Sequence, residues 1–295
     1  MSNNINICSG LLQLNYAEIK SKITNQKLFG LDVLQQYLFR FCEAIITGNN
    51  SIASQLNFYD ISPSVLLYGQ PNTGKTTLCY LLFNQIKEEV TNDINFYTLN
   101  VGRMLDPSLG QSSRNLEQIF KELKTICIEG TSIFLLLDEL DTFCMSRSRT
   151  QEHDAVRRAM TTLMLEMDQL KLERHLLLFG ITNVPYLLDT AVVRRFAIKK
   201  SMNLNLSLDY FESYIDYLNK PLNLTLTKEE IDKIYDIYQR RSFSCGDIKG
   251  LYQTLFIDSL CTEKSVSMNQ LLIKAFETGF SSGEHLQALS QELSQ

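Results

Sequence analysis

Gly69-Gln70-Pro71-Asn72-Thr73-Gly74-Lys75-Thr76 has the spacing Gly-x-x-x-x-Gly-Lys-Thr, which suits a segment that grips a polyphosphate. Gly69 and Gly74 let the backbone turn tightly and bring its N–H groups close to phosphate oxygens. Asn72, Thr73 and Thr77 complete the set of loop residues placed around those oxygens. Lys75 is a point charge for the β- and γ-phosphates, and the Thr76 hydroxyl is a ligand for Mg²⁺. A second group with chemistry in it is Asp138-Glu139, two adjacent carboxylates behind the apolar run Ile133–Leu137. In that pairing Asp138 faces the Mg²⁺ and Glu139 faces the attacking water as general base. A plainer reading of the pair is an acidic cap on the next helix.

These residues need elements to hold them. Val65-Leu66-Leu67-Tyr68 reads as a buried strand running into the loop, and Leu78–Phe83 continues past it as a helix. The positive end of that helix adds to the phosphate site. Ile133–Leu137 is apolar on both faces, as in a strand of a parallel sheet covered on both sides. Ligands of such sheets sit beyond the carboxyl ends of the strands, where both motifs fall. Ile94–Asn100, His175–Ile181 and Ala197–Leu206 supply three more strands. Helical spacing lies between them, as in Leu116, Ile119, Phe120 and Leu123. Alternating strands and helices predict an α/β fold, a three-layer sandwich around a mostly parallel five-stranded sheet, and with the Gly69–Thr76 motif at its strand ends it resembles a P-loop NTPase. After Ser207 only helical patterns remain. The expected domains are a short N-terminal arm over 1–27, a large ATPase domain over 28–206 and a small helical lid over 207–295. Within the arm, Leu11–Ile23 has a helical look.

Bulk properties narrow the partners. The net charge of −5 over 295 residues leaves no global basic field for nucleic acid, so no direct nucleic-acid partner is expected. A local basic patch stays open. The seven cysteines are far apart, with no C-x-x-C pair and only three histidines, which argues against a zinc site. Reduced thiols predict a cytoplasmic, intracellular protein. Met1–Asn15 lacks the pattern of a signal peptide, and no apolar run reaches the roughly 18–20 residues of a transmembrane segment.

Beyond the two nucleotide motifs the chain resembles the AAA+ ATPases, in the group that contains katanin, spastin, fidgetin and the ESCRT-disassembling ATPases. The resemblance covers about Phe29 to Leu260. Asp138-Glu139-Leu140-Asp141-Thr142-Phe143 is similar to the family's D-E-[IVL]-D-S-hydrophobic segment. Glu152–Arg158 resembles E-H-E-A-S-R-R, Leu165–Leu170 resembles L-V-Q-M-D-G-[VL], Ile181-Thr182-Asn183 resembles A-T-N, and Leu188–Phe196 resembles L-D-E-A-[VL]-x-R-R-F. Thr77-Leu78-Cys79 and Met167–Lys171 are similar to the pachytene checkpoint ATPase, a remodeller of HORMA-domain proteins. The resemblance implies ATP and Mg²⁺ as cofactors. It implies that Asn183 orients the attacking water, an amide being both donor and acceptor. It further implies that Arg194 and Arg195 are arginine fingers reaching a neighbouring subunit's nucleotide. Gly30 and Leu31 then lie against adenine, with Gly246 of Ser244-Cys245-Gly246-Asp247-Ile248 also near the base.

Two departures matter. Gln70 and Asn72 replace the usual Pro and Gly of the loop, and asparagine tolerates positive φ better than most residues. In the pore segment, Ser108 of Pro107–Ser112 stands where the family has a polypeptide-gripping aromatic, with Leu109 or Met104 as substitutes. A second pore segment near Arg149–His153 keeps its charge. The leading expectation is a homo-hexameric ATPase that remodels or disassembles a protein substrate. The alternative is a nucleotide-dependent assembly switch or scaffold that does not thread polypeptide. A DNA-acting loader fits the acidic balance less well.

Overall fold

The computed structural model describes residues 10–48, 50–91, 93–100, 111–141, 150–170, 175–202, 205–261, 267–285 and 288, with 50 and 150–155 by backbone only. The expected pore residues 104 and 107–110, and the side chain of His153, lie outside the described residues. The described residues within Met1–Gln26, Val33–Gly69 and Lys75–Ser201 form one compact unit. Lys27–Asp32, Gln70–Gly74 and the described residues within Met202–Gln295 form another. Three short stretches of the expected large domain, 28–32, 70–74 and the described residues of 202–206, thus group with the helices.

The first unit is built on a six-stranded sheet in the order β1-β3-β4-β5-β2-β6. Its strands are β1 (Leu11–Leu14), β2 (Ser64–Tyr68), β3 (Ile94–Asn100), β4 (Ser132–Asp138), β5 (Leu176–Thr182) and β6 (Ile198–Ser201). Five are parallel, and for the central β4 and β5 the unbroken apolar runs predict it. The sixth, β1, is an addition to the expected five: it pairs antiparallel with β3, from Leu11↔Leu99 to Leu14↔Phe96. The helical look of Leu11–Ile23 holds only from α1 (Tyr16–Ile23), because Asn15 caps that helix in a reciprocal box with Glu18.

Successive side chains of a strand point to opposite faces, so each face collects its own core. On one face Phe96, Phe134 and Phe179 stack at 5.1 and 4.4 Å under α4 (Lys75–Glu89), which adds Phe83 edge-on. Tyr16 of α1 anchors to α4 by donating its hydroxyl to Asn84 at 3.0 Å and Glu88 at 2.8 Å. On the other face Leu135, Leu137 and Leu178 meet α5 (Gln111–Ile128) and α6 (Thr150–Gln169) through Phe120, Leu163 and Met167. The result is the three-layer arrangement that alternating strands and helices require. This unit also contains α2 (Asp32–Thr47, from Val33 on), α3 (Asn50–Phe58) and α7 (Thr190–Arg195).

The second unit packs α8 (Leu208–Asn219), α9 (Lys228–Arg241), α10 (Cys245–Cys261) and α11 (Met268–Thr278) around Phe211, Tyr238 and Phe276. Phe29 inserts into this core, 5.1 Å from the Tyr214 ring and 5.6 Å from Tyr217. That contact carries Gly30 and Leu31 with the helices. Among the described residues no helix is long and apolar enough to cross a membrane.

Candidate active site

Four neighbouring parallel strands end side by side. Asn100 of β3 pairs in register with Asp138 of β4, and Tyr68 of β2 with Thr182 of β5. Just past β2 the Gly69 N–H donates to the Thr182 carbonyl at 3.3 Å. The phosphate loop, the carboxylate pair and Asn183 therefore leave the sheet on the same side, where open α/β sheets bind ligands. Asn183 itself is exposed.

The loop needs backbone that ordinary residues avoid. Gly69 has φ 142°, Gly74 has φ 87° and Asn72 has φ 61°. Asparagine thus supplies a left-handed turn that most residues other than glycine avoid. The Thr73 hydroxyl donates to the Gln70 carbonyl at 3.0 Å and stitches the turn. Lys75 opens α4, is only 5% exposed, and donates its ammonium to the Gly69 carbonyl at 3.0 Å. Burial pushes its pKa down to about 8, against the upward pull of Asp141 and Asp138. Thr76 and Thr77 follow in the first turn of the same helix, both half-buried.

The carboxylates have distinct settings. Burial raises the Asp138 pKa, while the Glu139 N–H, donated to Asp138 Oδ1 at 2.9 Å, opposes the rise. Glu139 adopts φ 57°, a costly conformation for a non-glycine residue. Its Oε2 accepts a hydrogen bond from Asn100 Nδ2 at 3.1 Å. Asn100 was not among the expected site residues; its position at the end of an apolar strand is the only mark it carries in the sequence. Asp141 was also missed. Its Oδ1 is buried without a hydrogen-bond partner among the described residues.

The two arginines, alike in sequence, differ in place. Arg194 is exposed. Arg195 grips Asp168 with Nε at 3.0 and 3.1 Å and Nη2 at 3.0 Å, and gives Nη1 to the Ala191 carbonyl at 2.9 Å. Its own carbonyl accepts from the hydroxyls of Ser62 at 3.0 Å and Ser64 at 3.2 Å, where β2 begins. The arginines therefore stand at one end of β2 and the phosphate loop at the other, about 16 Å away at 3.3 Å per residue.

In the helical unit, the Gly246 N–H donates to the Asn72 carbonyl at 3.0 Å. A Cβ on Gly246 would lie 2.2 Å from Asn72 Cβ, so only glycine permits this approach. Asp247 fixes the start of α10 by accepting from the Ser244 N–H at 2.9 Å, while the Ser244 hydroxyl accepts from the Asp247 N–H at 3.1 Å. Gly30 takes φ 70°, and Leu31 is buried.

Residues 65–204 match the ATPase family associated with various cellular activities (AAA). Spastin of Naegleria gruberi is 28% identical over 214 residues, covering 70% of this chain and 37% of that protein. An AAA ATPase forming ring-shaped complexes, from Corynebacterium diphtheriae, is 26% identical over 140 residues, covering 46% of this chain and 28% of that protein. The chain thus spans well under half the length of these curated relatives. A chain of the E. coli MS115-1 HORMA:CdnC:Trip13 complex shares the fold at a TM-score of 0.71 with 17% identity, over 92% of this chain and 95% of that one. Phosphate loop, acidic pair and three-layer sheet together make residues 65–204 an AAA ATPase domain, similar to those of the spastin group.

Proposed function

We propose that this chain is a Mg²⁺-dependent ATPase that assembles into a hexameric ring and remodels a protein partner. The observation that carries the reading is the separation of loop and arginines along β2. An arginine side chain is much shorter than that strand, so Arg194 does not reach the phosphate loop of its own copy, and in this reading it serves the nucleotide of another. Lys75 binds the β- and γ-phosphates, Thr76 and Asp138 hold the metal, and Glu139 takes the proton of the attacking water. Asn183 orients that water. Gly30, Leu31 and Gly246 serve the adenine.

The residues suit the cofactor. Among the described residues no cluster of three metal-ligating side chains exists. Mg²⁺ keeps several waters and needs only one or two carboxylates beside the phosphates, a demand that Asp138 with the Thr76 hydroxyl meets. The unpartnered Asp141 Oδ1 is an acceptor fit for such a water. When bound, Mg²⁺ neutralises charge on the phosphates.

Lys75 gives the site a pH signature. Phosphate oxygens beside a buried ammonium restore its charged form. Near pH 8, where about half of the free protein has lost that proton, ATP binding is expected to take up about half a proton. Near pH 6 the uptake should vanish. Calorimetry in buffers of different ionisation enthalpy reads the difference, and equal uptake at both values would contradict it. The free fold is also expected to gain stability as pH rises from about 8 to 10.5, because the unfolded chain keeps the proton longer.

The ring reading is supported by a relative that forms ring-shaped complexes and by the distance of Arg194 from the phosphate loop of its own copy. The protein-partner reading is supported by the fold shared with a chain of a HORMA:CdnC:Trip13 complex. Ser108 in place of the pore aromatic favours a second reading, a nucleotide-dependent scaffold. The test is mass photometry of the Glu139→Gln variant with ATP. A hexamer is expected, and a strictly monomeric profile at micromolar protein would overturn the ring.

A further inference from the structure

The Asn72 carbonyl of the phosphate loop is held by the Gly246 N–H at 3.0 Å. In a planar trans peptide the N–H lies opposite the carbonyl. Fixing the Asn72 carbonyl therefore also fixes the direction of the Thr73 N–H in the same peptide. Asn72 at φ 61° needs such support, since a non-glycine residue stays there only where its surroundings over-determine it. Gly246 is in turn placed by its neighbour Asp247, which is 7% exposed. One oxygen of Asp247, Oδ2, takes three donors. Besides the Ser244 N–H, these are the N–H of Ser282 at 3.1 Å and its hydroxyl at 2.6 Å. Ser282 lies beyond the end of α11. We propose that the segment Ser281–His285 is a latch that sets the affinity of the loop for a β-phosphate, with Ser282 and Asp247 positioning the Asn72 carbonyl through Gly246. The inference rests on the reading of Gly69–Thr76 as the phosphate site.

The segment is held from two sides. The Ser281 hydroxyl donates to the Arg241 carbonyl at 2.6 Å and accepts from the Glu284 N–H at 3.2 Å. Arg241 closes the end of α11 by donating Nη1 to the Phe276 carbonyl and Nη2 to the Gly279 carbonyl, each at 2.8 Å. The same guanidinium pairs with Glu284 through Nε at 2.9 Å and Nη2 at 2.6 Å. Ser281 and Ser282 are buried. A Cβ on Gly283 would lie 2.2 Å from the Ser242 carbonyl oxygen, so the chain crosses the corner between α9 and α10 at a glycine. The Arg241 bonds are enough to end a helix. The Ser282 donors on Asp247 do something further: they join the chain after α11 to the residue beside Gly246, and so to the loop.

The test is the binding of ADP and of AMP to full-chain variants, read by competition against a fluorescent nucleotide. AMP lacks the β-phosphate. Ser282→Ala removes the hydroxyl bond to Asp247 and leaves the Arg241 side intact. It should lower the ratio of ADP affinity to AMP affinity about 10-fold, the usual contribution of one hydrogen bond to a carboxylate. KM for ATP should rise by a similar factor, with kcat within about twofold of the parent. Hydrogen exchange should show the Gly246 amide freed, with α9 and α11 still protected. Gly246→Ala breaks the last link, because a Cβ there would lie 2.2 Å from Asn72 Cβ. Adding Ser282→Ala to it should weaken ADP no further. If Ser282→Ala does not fold, Ser282→Cys, which keeps the shape with a weak donor, makes the same demand. Losses shared equally by ADP and AMP, an unchanged ratio, or additive losses in the double variant would overturn the latch. Lys75→Ala separates the failures: if it abolishes ADP binding while Ser282→Ala keeps the parent ratio, the phosphate site stands and the latch falls. Parent-like ADP binding by Lys75→Ala would remove both.

Discussion

Glu139→Gln is expected to bind ATP as the parent chain does and to turn it over at least about 100-fold more slowly. Glutamine keeps the size of the side chain and still accepts the Asn100 bond through its oxygen. What it loses is the capacity to take a proton from water. Binding is expected to survive, since the groups assigned to the phosphates, Lys75 and the turn around Asn72, are untouched. Phosphate release and fluorescent-nucleotide binding, measured on the same sample, separate the two effects. Normal turnover would sink the assignment of Glu139.

The second large effect divides two neighbouring residues. Arg194→Ala should lower turnover about 1,000-fold with nucleotide binding and melting temperature unchanged, because Arg194 is exposed on α7 and, in the proposed ring, supports only a neighbour's chemistry. Arg195→Ala should behave otherwise. Its guanidinium is committed to Asp168 and to the Ala191 carbonyl, and so ties α7 to α6. The pair is partly exposed, so its loss is worth about 1 kcal/mol or less, a fall of about 2–4 °C in a chain of this size. Turnover should drop less, about 10-fold, as Arg194 loses its mounting. Equal losses of activity with both melting temperatures unchanged would mean that Arg195 leaves Asp168 to reach the nucleotide.

Much of this architecture is legible in the residues. Apolar runs such as Ile133–Leu137, buried on both faces, announce parallel strands. Asn72 in the loop announces a left-handed turn, and φ there is 61°. What stays hidden depends on register and on distant partners. β1 is only Leu-Leu-Gln-Leu, too short for a periodicity, and its pairing partner lies more than eighty positions onward. The bond from Asn100 to Glu139 follows from the register Asn100↔Asp138, which no local pattern encodes. Arg194 and Arg195 look equivalent until Asp168, 27 positions before Arg195, claims one of them. The bond between Asn72 and Gly246 joins residues far apart in the chain, and only a missing Cβ marks it.

The central claim is a catalytic site completed by two copies of the chain, and complementation tests it most directly. Arg194→Ala keeps its own Lys75 and Glu139 but offers its neighbour no arginine; Glu139→Gln offers the arginine but lacks the base. Each alone should be inactive. Mixed in equal amounts and allowed to exchange subunits, they should regain roughly a quarter of the parent turnover, the share of head-to-tail interfaces that unite an intact base with an intact arginine. A mixture that assembles with ATP yet stays as inactive as its components, or Arg194→Ala that is fully active by itself, would contradict the account.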